Sequence, residues 1–178
     1  MRLSLQLAAL AVLCAPLVAW AGRPQPAAHS VYTTLDVRTC RLLSSDEETG
    51  STLHQCRGVA GYRLQVADDD ARMSVSVVPP GGGVHRLHYW TVVGSGFSTL
   101  GPRAEWRMRG QGTRARPVAL IVRVEVSDPE QRVTSYLAVA RVSPRASCVT
   151  EVIRPAANMN ELARRAADRS AGRPCLRT

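Results

Sequence analysis

The chain has 178 residues, 45% of them hydrophobic, and a net charge of +9 in which all 23 basic residues are arginine. That composition belongs to a folded chain and excludes a disordered one. Aromatic residues make up only 4%, too few to build the stacking platforms of a nucleic-acid binder, so nucleic acid is not an expected partner.

Arg2 supplies a positive start, Leu3 to Val18 is almost wholly apolar, and Ala19-Trp20-Ala21 puts small residues where a signal peptidase reads them. This predicts a secretory signal peptide over 1–21, cut before Gly22. The apolar run is short for a membrane span and is followed by Pro24 and Pro26, so no retained anchor is expected. No other segment is long and apolar enough to span a bilayer, and the exported chain is expected in the periplasm or outside the cell. Ala11-Val12-Leu13-Cys14 is a poor lipid-attachment signal, because bulky Leu13 stands where a small residue is needed. The remainder is long enough for one domain with a real core. We read 22–30 as a Pro- and Ala-rich flexible leader and 31–178 as a single domain.

Cys14 leaves with the signal, so Cys40, Cys56, Cys148 and Cys175 remain. An even number in an exported chain reads as two disulfides, for which three pairings exist. Cys40–Cys56 and Cys148–Cys175 are favoured because each joins neighbours in sequence. Each loop closure would stabilise the fold by about 3 kcal/mol in the chain-entropy model. A Cys-bound metal is disfavoured, since no C-x2-C pair is present.

Val31 to Leu43 is rich in β-branched and apolar residues and is expected to form a first strand. Ser44 to Ser51 is an acidic loop, and Leu53 to Cys56 returns toward Cys40 as the second arm of a hairpin. Tyr62 to Val66 alternates at period two, Asp68-Asp69-Asp70 breaks the pattern, and Met73 to Val77 alternates again, predicting a second hairpin. Pro79 to Gly83 is a loop, and His85 to Val93 is strand-like. Thr99 to Pro102 reads as a turn that delivers Ala104 to Met108 as a short strand.

Val118 to Val126 is a strong strand. Val118, Leu120, Val122, Val124 and Val126 share one face, and Ala119, Ile121, Arg123 and Glu125 share the other. Thr134 to Val142 returns across the turn Asp128 to Gln131, with Tyr136, Ala138 and Ala140 opposite Leu137, Val139 and Arg141, giving a third hairpin. Cys148 to Ile153 is a last short strand. A helix follows: Asn158 is a good N-cap with Glu161 three residues on, and Met159, Leu162, Ala163 and Ala166 make an apolar stripe. Gly172 and Pro174 stop it. The expected fold is mainly β (α+β), an antiparallel sheet or sandwich of about seven or eight strands with one C-terminal helix.

Few residues invite chemistry. His85-x-x-His88 falls in a predicted strand, where residues three apart point to opposite faces, which argues against shared metal ligation. His54, beside Cys56, reads as a hairpin surface residue. Asp68-Asp69-Asp70 lacks the closing acid of a calcium loop, and Asp46-Glu47-Glu48 has nothing to fix it around an ion. Gly94-Ser95-Gly96 is not a nucleophile elbow, and Gly81-Gly82-Gly83 is not followed by the Lys-Ser/Thr of a phosphate loop. Glu105 and Glu125 are candidate paired carboxylates for glycoside hydrolysis, but each is more simply a partner for a nearby Arg. No metal, no cofactor and no catalytic residue is therefore expected. The arginine surplus reads first as a solvated surface and second as attraction to lipopolysaccharide, other envelope polymers or an acidic protein.

Several segments resemble a family of uncharacterised exported proteobacterial proteins. They are Tyr32-Thr33-Thr34-Leu35-Asp36 leading to Cys40, Cys56 with Gly61-Tyr62, Asp70 to Val75, Leu100-Gly101-Pro102-Arg103-Ala104-Glu105-Trp106-Arg107, and Asn160-Glu161-Leu162-Ala163-Arg164. The resemblance implies export and a shared fold, and no activity or ligand. It directs attention to Glu105, Trp106 and Arg107 as candidate binding residues. In a strand, Glu105 and Arg107 share a face and Trp106 points the other way. Either Trp106 is a core residue beside a surface Glu–Arg pair, or Arg107 grips an anion while Glu105 orients it.

The expected function is that of a non-enzymatic binding or interaction protein of the bacterial envelope, with an anionic or protein partner. The alternatives are a secreted enzyme inhibitor presenting a loop such as Pro79–Gly83, and a hydrolase.

Overall fold

A computed structural model describes residues 27–177. The expected signal peptide over 1–21 and the leader residues 22–26 lie outside the described residues. Ten strands are present among the described residues: β1 (His29–Thr34), β2 (Arg41–Ser45), β3 (Thr52–Arg57), β4 (Arg63–Asp69), β5 (Arg72–Val78), β6 (His85–Arg86), β7 (Ser98–Arg109), β8 (Arg116–Ser127), β9 (Val133–Arg141) and β10 (Cys148–Ile153). A short helix α1 (Tyr89–Val92) separates β6 from β7, and α2 (Met159–Arg169) follows β10. The mainly β class, the antiparallel sheet and the C-terminal helix are as expected, with more strands than the seven or eight read from the sequence.

The strands form one sheet in the order β10-β9-β8-β7-β5-β4-β3-β2, with β1 added to β7 and β6 to β5. All pairings are antiparallel except the single parallel contact of Arg72 in β5 with Ser98 in β7. β7 makes that contact at its first residue and pairs with β1 from Arg103 to Met108. The sheet thus changes partner along β7 and curls, so that the inner faces of β3–β5 and of β7–β9 meet. Leu64, Val66, Val75 and Val77 from one half pack in a single core with Trp106, Leu120, Val122, Val124, Ala138 and Ala140 from the other.

The outer face of β8 and β9 carries a second core. Ala119, Ile121, Leu137, Val139 and Ile153 pack against Ala163, Ala166 and Ala167 of α2. This is why β8 is apolar on both faces for much of its length: Leu120 faces the inner core and Ile121 faces the helix. Alanines on the buried stripe of α2 let the helix lie close to the sheet.

Several boundaries differ from the sequence reading. β1 starts at His29, so the last part of the expected leader belongs to a strand. The expected strand Val31–Leu43 is two strands split by a 3-10 turn at Val37–Thr39. Asp36 makes that break: its Oδ1 accepts from Arg38 N at 3.1 Å and its carbonyl accepts from Thr39 N at 2.9 Å. The aspartate run does not interrupt β4, which continues through Asp68 and Asp69. Only Asp70 and Ala71 turn, both left-handed, at φ 50° and 55°, the geometry a two-residue hairpin requires.

Strand-like His85–Val93 is a strand only at His85–Arg86. His88 is left-handed at φ 49° and opens α1, which sends the Tyr89 ring into the core. The expected turn at Thr99–Pro102 lies inside β7 as a shift of register against β8 between Leu100 and Ala104. There a Cβ on Gly101 would stand 2.8 Å from Arg123 Cβ, so glycine is what lets the strands pass. In α2, Asn158 makes no side-chain cap bond and Glu161 pairs with Arg165, so the expected capping box is not formed.

Both favoured disulfides are present. Cys40–Cys56 ties the entry of β2 to β3 with Cα atoms 4.6 Å apart, and Cys148–Cys175 ties β10 to the C-terminal tail with Cα atoms 5.6 Å apart. The tail also donates Leu176 N to Val149 O at 2.8 Å, adding to the outer edge of β10. No helix among the described residues is long and apolar enough to cross a membrane.

Candidate functional site

The alternation of β7 sends Trp106 inward and Glu105 and Arg107 outward. Trp106 is fully buried, its Nε1 donates to Thr33 Oγ1 of β1 at 2.9 Å, and its ring centroid lies 6.2 Å from that of Tyr62. Arg107 is 8% exposed. Its Nε and Nη2 donate to the two carboxylate oxygens of Asp168 in α2, at 2.8 and 2.9 Å. Its Nη1 donates to Ser30 Oγ at 2.7 Å and its Nη2 to Ala28 O at 2.8 Å. This fork of charge-assisted bonds joins β7, β1 and α2.

Glu105 does not pair with Arg107 directly. Ser30 Oγ, which accepts from Arg107, donates to Glu105 Oε1. The ion partner of Glu105 is Arg164 of α2, whose Nε lies 2.7 Å from Oε1 and whose Nη2 also bonds Tyr32 Oη at 3.0 Å. Burial acts to raise the Glu105 carboxyl, but hydrogen bonds from Arg164 and Ser30 outweigh it and hold the group below the ordinary carboxylate value. The same contact raises Arg164, chiefly through its hydrogen bond to Glu105. Of the other carboxylate considered, Glu125, no ion pair is formed among the described residues.

Beside this pair, between α2 and the outer face of β7 and β8, lies a cleft of about 440 Å³. Arg103, Arg123 and Arg164 line it with Tyr32, Glu105 and Asn160. Three guanidiniums against one carboxylate give the cleft a formal excess of positive charge. Arg123 is held by donation to Ser135 Oγ at 2.6 Å and to Asn160 Oδ1 at 3.4 Å. The Arg103 guanidinium stands over the Tyr32 ring, 5.9 Å from its centroid. Neither Arg103 nor Arg123 forms an ion pair among the described residues. Asn160, in the first turn of α2, adds the positive end of the helix dipole.

A larger hollow of about 820 Å³ at one end of the sheet also carries arginines, Arg114, Arg116 and Arg141. Arg141 is engaged with Arg173 O and Cys175 Sγ, while Arg114 and Arg116 are exposed and no hydrogen bond fixes their side chains among the described residues. Pre-organised donors bind an anion at a lower entropic cost than mobile ones, which favours the smaller cleft.

Glu105 thus lies in the cleft, Arg107 lies behind it as an internal strut, and Trp106 lies on the opposite face. Arg103, Arg123 and Arg164 were not singled out as binding residues from sequence. A signal was present for Arg123, the one cation on a face of a strong strand shared with Ala119, Ile121 and Glu125. Three of the resembling segments, Tyr32–Asp36, Leu100–Arg107 and Asn160–Arg164, meet around the cleft. His85 lies in β6 with Nδ1 3.2 Å from Ser147 Oγ, whereas His88 stands at the start of α1. No group of three His, Cys, Asp or Glu gathers among the described residues. Compared with known proteins, the chain has no significant match among family models, curated proteins or solved structures.

Proposed function

We propose that the chain is an exported, non-enzymatic binding protein of the bacterial envelope, and that it engages an anionic partner through the cleft beside α2. One observation carries the reading: Arg103 and Arg123 line a single cleft and neither forms an ion pair with a carboxylate among the described residues. A phosphate or carboxylate placed there would meet planar donors already held by Tyr32, Ser135 and Asn160. Export, periplasmic or beyond, and membership of the exported proteobacterial family belong to the same proposal. The disulfides support export, because such bonds persist in oxidising compartments.

The test is retention of envelope components on the immobilised oxidised protein at low and high salt, with inorganic pyrophosphate as competitor. The expected partner is lost at high salt, displaced by pyrophosphate, and not retained by the Arg103→Gln/Arg123→Gln variant. A single protein retained at high salt by both forms would overturn the reading in favour of an inhibitor with buried apolar anchors.

A further inference from the structure

The outer face of β4 and β5 is built differently from that of β8 and β9. No helix covers it. Its central positions are small or polar: Gln65 and Ala67 on β4, Ser74 and Ser76 on β5. They floor a groove of about 380 Å³, walled on one side by Trp90 and reached by Arg86 and Asp69.

Trp90 is the feature that needs explaining. It is 47% exposed in a chain with few aromatic residues. Its position is fixed, since the neighbouring Tyr89 is buried in the core and Tyr89 N donates to Ser74 Oγ at 3.2 Å. The left-handed backbone at His88 is spent on this placement. The result is an exposed indole standing beside a polar floor.

The groove's polar groups are largely unspent. Gln65, Ser76 and Arg86 have no side-chain hydrogen bond or ion pair among the described residues. Asp69 accepts only from Ser51 Oγ, at 3.2 Å. Arg86 is level with Ser76 and Gln65 in the strand register, and Asp69 lies four residues further along β4. At the rise of a strand that separation is about 13 Å, room for about two or three pyranose rings. One end of the groove therefore carries Arg86 and the other carries Asp69 opposite Arg72, which is itself paired with Asp70, with hydroxyl and amide groups between.

We propose that this groove binds an acidic oligosaccharide, with one sugar ring stacked on Trp90 and a sugar carboxylate on Arg86. The apolar face of a pyranose ring suits an exposed indole, whose amphipathic ring gives contact area at a low entropic cost. Sugar hydroxyls suit the donors and acceptors of Gln65, Ser76 and Asp69. A carboxylate suits the Arg86 guanidinium, which has no partner among the described residues. A peptide ligand would instead seek unpaired strand edges, and β4, which carries half of this floor, is paired along its length on both sides, with β3 and β5.

The test is a titration of the oxidised protein with galacturonate trimers, mannuronate trimers and an N-acetylmuramate-containing disaccharide, with cellotriose as the neutral control. The readout is the indole N–H resonance of Trp90, which is exposed, while that of Trp106 is buried. At least one acidic saccharide is expected to shift the Trp90 signal. Trp90→Ala is expected to weaken that binding at least tenfold, and Arg86→Gln to abolish the preference over cellotriose. Because both side chains lie on the surface, loss of folding does not confound either variant. No shift with any acidic saccharide would overturn the proposal. So would binding that survives Trp90→Ala but is lost in Arg103→Gln/Arg123→Gln, which would place the ligand in the cleft beside α2.

Discussion

Replacing Arg107 by Met separates an internal strut from a ligand-gripping arginine. The side chain is 9% exposed and its partner Asp168 is 35% exposed. Methionine keeps much of the volume and removes the bonds to Asp168, Ser30 and Ala28. Breaking a fully buried ion pair costs about 3–5 kcal/mol. Asp168 is partly in water and rehydrates when abandoned, so the expected loss is about 2–3 kcal/mol. A double-mutant cycle with Asp168→Asn isolates the pair and should return a coupling of about 1.5 kcal/mol or more. The assay is urea unfolding of the oxidised protein at neutral pH, read by fluorescence of buried Trp106. A loss below about 0.5 kcal/mol, together with loss of anion retention, would refute this reasoning and make Arg107 a binding residue.

Glu105→Gln should lower stability at neutral pH and flatten its acid dependence, measured as Tm between pH 7 and pH 2.5. The folded carboxyl titrates below its ordinary value, so its contribution is complete above an unfolded value of about 4.3 and is lost as pH falls through the folded pKa; an unchanged acid limb in the variant would contradict this. Ala71→Gly should stabilise the β4–β5 hairpin by about 0.5–1 kcal/mol, because Ala71 is left-handed at φ 55°; a destabilised variant in urea unfolding would show that the turn is not as described. Removing Cys148 and Cys175 together by alanine opens a sequence separation of 27 and should cost about 3.5 kcal/mol in the chain-entropy model. A loss under about 1 kcal/mol would mean that the tail is held without the bond.

How far the fold was legible depended on how local its causes are. The period-two alternation of Val118–Val126 placed Leu120 and Ile121 on opposite faces, and both faces proved to be cores because α2 covers the outer one. The disulfides followed from sequence order because Cys40 and Cys56 flank one hairpin and Cys148 and Cys175 bracket one helix. What was missed was decided at a distance. Pro102 looked like the end of a turn, yet β7 continues past it because β8 and β1 supply pairing on either side of the bulge. His85–Val93 read as strand-like, yet the chain turns into a short helix where Tyr89 is buried. At the site, Glu105 was visible, but its partners Arg164 and Ser30 lie 59 and 75 residues away in sequence. No local pattern announces such a pairing.

The arginine count overstates the charge available to a partner. Arg107 is consumed by Asp168 and Arg164 is largely consumed by Glu105, so two cations that flank the cleft serve to fasten α2 and β1 to β7. Fastening has a second effect, because it fixes the walls against which Arg103 and Arg123 stand. Arg123 reaches Asn160 of the same helix, and Arg103 lies over Tyr32, which bonds Arg164. A solvated, evenly basic surface would leave its guanidiniums mobile and interchangeable. Here the paired arginines position the unpaired ones, and the pairing depends on two carboxylates, Glu105 and Asp168, that have no role in attracting an anion. Their presence beneath a cationic cleft is better explained by geometry than by net charge, since each weakens the local positive field that long-range attraction would need. On the proposed reading, the cleft would recognise its anion at contact distance, where the orientation of planar donors matters more than the sum of charges.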